Sequence, residues 1–136
     1  MAWVVDTDLL LDVATRDATF WRRSADLLAK QRPLGLLVCP VTYVELAPVF
    51  QGVTKDADEF LAMLGVQPRE SLTMIDAKVA FVSWHLAVQR KHKEVERKRP
   101  VADVLIGAFA MRFDGLLTRN TSDFRLAFPN LTILEP

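Results

Sequence analysis

Trp3-Val4-Val5-Asp6 is three apolar residues in a row followed at once by an acid. The run is short and continuous and has no polar alternation, the pattern of a strand buried on both faces. The pattern returns at Leu36-Leu37-Val38-Cys39 and at Leu116-Leu117-Thr118, and Leu131 to Leu134, broken by Thr132, reads as the last strand. A short edge strand is read at Leu72 to Ile75. Between these runs lie helical patterns. One starts at Leu9, and a second runs from Ala18 to Lys30, with Phe20, Ala25, Leu28 and Ala29 on one face. Others run from Thr42 to Phe50, from Lys55 to Leu64, from Asp76 to Lys93 with Asp76 as cap, from Val101 to Phe113 after Pro100, and from Ser122 to Leu126. Strands alternating with helices predict an α/β fold. It is a single domain over residues 1–136, with a central, mostly parallel sheet of four to five strands and helices on both faces.

In such sheets ligands bind outside the carboxyl ends of the strands, where the strand order reverses. Asp6 ends the first strand, and Glu45 lies one turn into the helix after the second. Asp103 is near the start of the helix after Pro100, and Asp123 follows the third core strand by a few residues. All four acids fall at the same sheet edge. Carboxylates converging without a cation repel one another, and some stay protonated. A hard, oxygen-seeking divalent ion such as Mg²⁺ or Mn²⁺ resolves that repulsion. Paired cysteines or histidines at zinc-ligand spacing are absent.

Each acid also has a plainer reading. Thr42-Tyr43-Val44-Glu45 fits a capping box. Asp103 suits any first helical turn, and Asp123 suits an ordinary turn. Asp6 is the hardest to explain away. Asp6-Thr7-Asp8 also resembles the nucleophile motif of haloacid-dehalogenase-type phosphatases, but the later paired acids of that family are missing.

Bulk properties narrow the classes. Lysine plus arginine equals aspartate plus glutamate, 17 each, so net charge does not announce a nucleic-acid binder. One basic run exists: Arg90, Lys91, Lys93, Arg97, Lys98 and Arg99. It reads either as a solvated helix end or as a grip on phosphates. No stretch is apolar for the ~18 residues that a membrane span needs, and the N-terminus does not read as a signal peptide. The lone Cys39 fits a buried small residue in a reducing, cytoplasmic setting.

Val4-Val5-Asp6-Thr7-Asp8-Leu9-Leu10, Val44-Glu45-Leu46, Pro100 to Ala108 and Leu117-Thr118-Arg119-Asn120-Thr121-Ser122-Asp123-Phe124 together resemble the four signature segments of PIN domains. The likeness is closest to VapC-type toxins of toxin–antitoxin pairs. It implies a Mg²⁺-dependent endoribonuclease with Asp6, Glu45, Asp103 and Asp123 as its acidic quartet. Thr118 and Asn120 would be supporting polar groups, and Asp8 departs from the family pattern as a helix cap. The resemblance also implies an RNA substrate, gripped by Lys93, Arg97, Lys98, Arg99 and Arg119, as well as a homodimer and a cognate antitoxin. The apolar helix residues Val79, Val82 and Leu86, with Phe81, Trp84 and Val88, would serve the dimer or the core. Phe20, Trp21, Leu27 and Leu28 would pack the core or receive the antitoxin. A housekeeping RNA-processing nuclease and a non-catalytic RNA-binding module are the alternatives.

Overall fold

A computed structural model describes residues 2–93 and 101–136. Five parallel strands form one sheet in the order β3-β2-β1-β4-β5. They are β1 (Trp3–Val5), β2 (Leu36–Leu37), β3 (Val66–Gln67), β4 (Gly115–Leu117) and β5 (Ile133–Leu134). The chain starts at the centre, winds outward through β2 and β3, then crosses back to β4 and β5. The order therefore reverses between β1 and β4, and a site is expected at their carboxyl ends.

The helices are α1 (Thr7–Ala14), α2 (Trp21–Gln31), α3 (Pro40–Glu45), α4 (Thr54–Leu64), α5 (Met74–Lys93), α6 (Val101–Ala110) and α7 (Thr121–Ala127). Alternation along each strand divides the core in two. Val4, Leu37 and Leu116 pack with Ala80 of α5, with Val104, Ile106 and Phe109 of α6, and with Phe124 of α7. Val5, Leu36 and Leu117 pack on the opposite side with Leu9 and Leu10 of α1, Leu28 of α2 and Leu61 of α4. The inner strands β1, β2 and β4 thus pack on both faces, which is why their sequences are continuously apolar, while the edge strands β3 and β5 are partly exposed. Gly107 leaves room for the Phe128 ring at the end of α7 to pack on α6, since a Cβ there would lie 2.3 Å from that ring.

The edge strand and the start of α5 differ from their sequence reading, and α3 and α6 end short of it, at Glu45 and Ala110 rather than at Phe50 and Phe113. The edge strand is Val66–Gln67, immediately after Gly65 ends α4 in the left-handed conformation (φ 76°). Residues 72–73 instead lead into α5, and 74–75 are its first residues. The Thr73 hydroxyl receives the Asp76 N–H at 3.2 Å, and the Asp76 carboxylate receives the Thr73 N–H at 3.0 Å. This is a reciprocal capping box, so Thr73 is the cap and Asp76 its returning acid.

Arg112 clamps the same buried carboxylate at 2.7 and 2.8 Å. Burial works to raise the Asp76 pKa, but hydrogen bonds from Arg112 and Thr73 outweigh it and hold the carboxyl below its usual range. A depressed folded pKa adds stability at neutral pH that disappears as pH falls through the carboxylate range. Asp76→Ala should therefore lower stability at pH 7 by about 3–5 kcal/mol, the usual cost of stranding one partner of a buried pair. The gap from wild type should narrow below about pH 4. Thermal melts across pH check this, and a gap that ignores pH would refute the ion-pair explanation.

Candidate active site

Asp6 sits where β1 ends and α1 begins. It is the N-cap of α1, receiving the Thr7 N–H at 2.8 Å on one carboxylate oxygen. Its other oxygen receives the Thr118 hydroxyl at 2.7 Å. Thr118 directly follows β4, so this bond spans the switch point between β1 and β4. The Asn120 N–H donates to Thr118 Oγ1 at 3.0 Å, which fixes the hydroxyl and aims its proton at Asp6. The predicted support from Asn120 thus comes through its backbone.

Asp8 stands beside them. Its carboxylate receives the Arg119 N–H at 3.0 Å and the Leu9 N–H at 2.8 Å, with Thr118 Oγ1 at 3.4 Å. It is not the helix cap, since Asp6 holds that position. Asp8 instead ties α1 to the loop after β4.

Asp6 is only 5% exposed. Burial, with the like charge of Asp8 behind it, pushes its carboxyl up to about 8 against the lowering hydrogen bonds of Thr118 and Thr7. Asp103, in the first turn of α6, adds like charge to the same carboxyl. Asp8 is likewise raised by burial, opposed by the Arg119 N–H and guanidinium.

Glu45 joins through Thr7. The Thr7 hydroxyl donates to Glu45 Oε1 at 2.6 Å and pairs with the Thr42 hydroxyl at 3.0 Å. A hydroxyl carries one proton, so with Thr7 donating to Glu45, Thr42 supplies the proton of its own pair. The capping-box reading of Glu45 therefore does not hold. Pro40 opens α3 two residues earlier than Thr42, and Glu45 is its last residue, with its carboxylate turned to Thr7. Asp123 is exposed in the first turn of α7, on the helix that follows β4.

One buried acid escaped the sequence reading. Asp12, on α1, receives two hydrogen bonds from Arg119, at 2.8 and 2.9 Å, and the Ser24 hydroxyl at 2.8 Å. Arg119 also lies 3.9 Å above the Phe20 ring. Its guanidinium, expected to meet RNA, is committed to Asp12 inside the protein. The only signal was an acid in the apolar α1 pattern, six residues after Asp6. Arg97, Lys98 and Arg99, and the side chain of Lys93, lie outside the described residues.

The donor chemistry suits a hard cation. It is all oxygen, and a buried acid is crowded by like charges. The chelate is not closed as it stands: among the described residues, no three His, Cys, Asp or Glu side chains form a group that could hold a metal ion. Searches against known proteins give no matching family model, no matching curated protein and no matching solved structure.

Proposed function

We propose that the chain is a Mg²⁺-dependent endoribonuclease of the PIN kind, acting as the toxin of a toxin–antitoxin pair. The observation that carries this reading is the buried Asp6 at the β1–β4 switch point, held by Thr118, flanked by Asp8 and feeling the charge of Asp103. A lone structural acid there would be matched by a cation, as Asp76 is by Arg112 and Asp12 by Arg119. Among the described residues, Asp6 has the acids Asp8 and Asp103 as its charged neighbours instead.

Asp6 and Asp103 would hold the ion directly, with Asp123 shared or held through water. Such an ion, when bound, lowers the pKa of its water and polarises a phosphoryl oxygen. Thr118 keeps one Asp6 oxygen oriented, and the Thr7 N–H orients the other. Glu45, fixed by Thr7, is placed to accept a proton from an attacking water. Asp8 holds the Thr118–Arg119 turn in register with α1.

The test is cleavage of total cellular RNA by the purified chain with and without Mg²⁺, with ends mapped and Asp103→Asn as control. Metal-dependent cleavage lost in Asp103→Asn is the expected result. Equal cleavage by that variant overturns the assignment.

The dimer belongs to the same proposal. Ile75, Val79, Val82 and Leu86 recur at helical spacing along α5 and are 68%, 39%, 58% and 47% exposed. A contiguous apolar stripe of that kind marks an interaction face, and a second copy of the chain would cover it. Val82→Glu should convert a dimer to a monomer in sedimentation, and an unchanged mass would exclude this face. Trp84, in contrast, packs against the core. Leu28 is 1% exposed and takes no part in receiving an antitoxin. No described helix is long and apolar enough to cross a membrane.

A further inference from the structure

The chain's overall charge is balanced, yet its arginines are not evenly placed. Arg16, Arg22 and Arg23 are exposed at the turn into α2, around the half-buried rings of Phe20 and Trp21. Arg16 and Arg22 lie 5.7 and 5.2 Å from the centre of the Trp21 ring, and Arg23 lies 5.5 Å from that of Phe20. Among the described residues none of these three guanidiniums is in an ion pair. The nearby acids are Asp17, half-buried and receiving the N–H groups of Thr19 and Phe20, both at 2.9 Å, and the exposed Asp26 one turn along α2.

Arg119 shows the contrast. It lies at 3.9 Å on Phe20 and is locked to Asp12, so it serves as a strut. That strut joins the patch to the acidic site, because the Arg119 N–H holds Asp8. The other three sit near the outer limit of about 6 Å for a cation–ring contact, so each can leave its ring at little cost. Loose guanidiniums beside aromatic rings combine the two elements of single-strand recognition. The cations meet phosphates, and the rings stack on unpaired bases.

We propose that Arg16, Trp21, Arg22 and Arg23 form a track for single-stranded RNA that leads into the acidic site along Phe20 and Arg119. The inference rests on the nuclease reading for its substrate. A polyanion is the favoured occupant, since the three cations are without an ion pair among the described residues and outnumber Asp17 and Asp26.

The experiment measures binding of a labelled 12-nucleotide oligo(rU) by the full chain in EDTA, where metal-dependent cleavage cannot confuse the result. The combined Arg16→Gln, Arg22→Gln and Arg23→Gln variant should bind at least tenfold more weakly at low salt. The slope of log K against log salt should fall by about 2, since each lost single-strand phosphate contact removes roughly 0.7. Trp21→Ala should weaken binding roughly fivefold or more while leaving that slope in place, because stacking releases no counterions. An unchanged slope in the triple variant overturns the proposal. So does a wild-type chain that does not bind oligo(rU), an outcome that leaves the patch to an acidic protein face. Neither result bears on whether Asp103→Asn stops cleavage, so failure here is separable from failure of the nuclease reading.

Discussion

Asp6→Asn is expected to remove RNA cleavage, by at least about 10³-fold, while making the metal-free protein more stable above neutral pH. The two effects have one cause. Asp6 is a buried carboxyl raised to about 8 by burial and by the acids around it. An unfolded aspartate titrates near 4. Between those values the folded state holds a proton that the unfolded state has lost, so stability falls as pH rises through that window. Asparagine carries no such titration and can still accept from the Thr7 N–H or from Thr118. Melts in EDTA should coincide near pH 4 and separate toward pH 8, with the variant higher. A variant that melts lower than wild type at pH 8 would mean that Asp6 is a structural acid.

The second large effect is expected at Asp12. Asp12→Ala strands the Arg119 guanidinium and removes the acceptor of the Ser24 hydroxyl. Arg119 keeps 31% side-chain exposure, so water offsets part of the loss. The cost should fall near the lower end of the range for a broken buried pair, about 3 kcal/mol. For a chain of this size that is a fall in Tm of roughly 10 °C. The loop carrying Thr118 and the Arg119 N–H would loosen with it. Cleavage should fall by about tenfold even where the variant is fully folded, since misplacement by an ångström is costly. Arg119→Lys separates the parts, keeping the charge but losing the two-pronged grip. Full activity in a folded Asp12→Ala variant would show that the strut does not position the site.

Much of this architecture is legible in the residues. The continuously apolar runs place β1, β2 and β4, because strands covered on both faces leave no room for polar alternation. Pro40, Thr73 and Gly65 were harder. Each acts through local geometry that extends or halts an element by a few residues. Val66–Gln67 is too short to show a period, and apolar Leu72 belongs to the core without being a strand. The acids at Asp6 and Glu45 were visible from their place after strands. What held them was less so: the resemblance names Thr118, but Thr7 meets Thr42 and Glu45 through bonds across chain separations that no local pattern records. Arg119 reads as a nucleic-acid contact in sequence because its partner Asp12 lies 107 residues away.

The claim beneath all of this is that Asp6 and Asp103 share a hard cation, and Mn²⁺ binding followed by electron paramagnetic resonance at pH 8 tests it most directly. Wild-type protein should quench the free-ion signal at stoichiometric ratio, with Asp6→Asn and Asp103→Asn each losing that binding while keeping a wild-type circular-dichroism spectrum. Equal Mn²⁺ uptake by the wild type and both folded variants would contradict it.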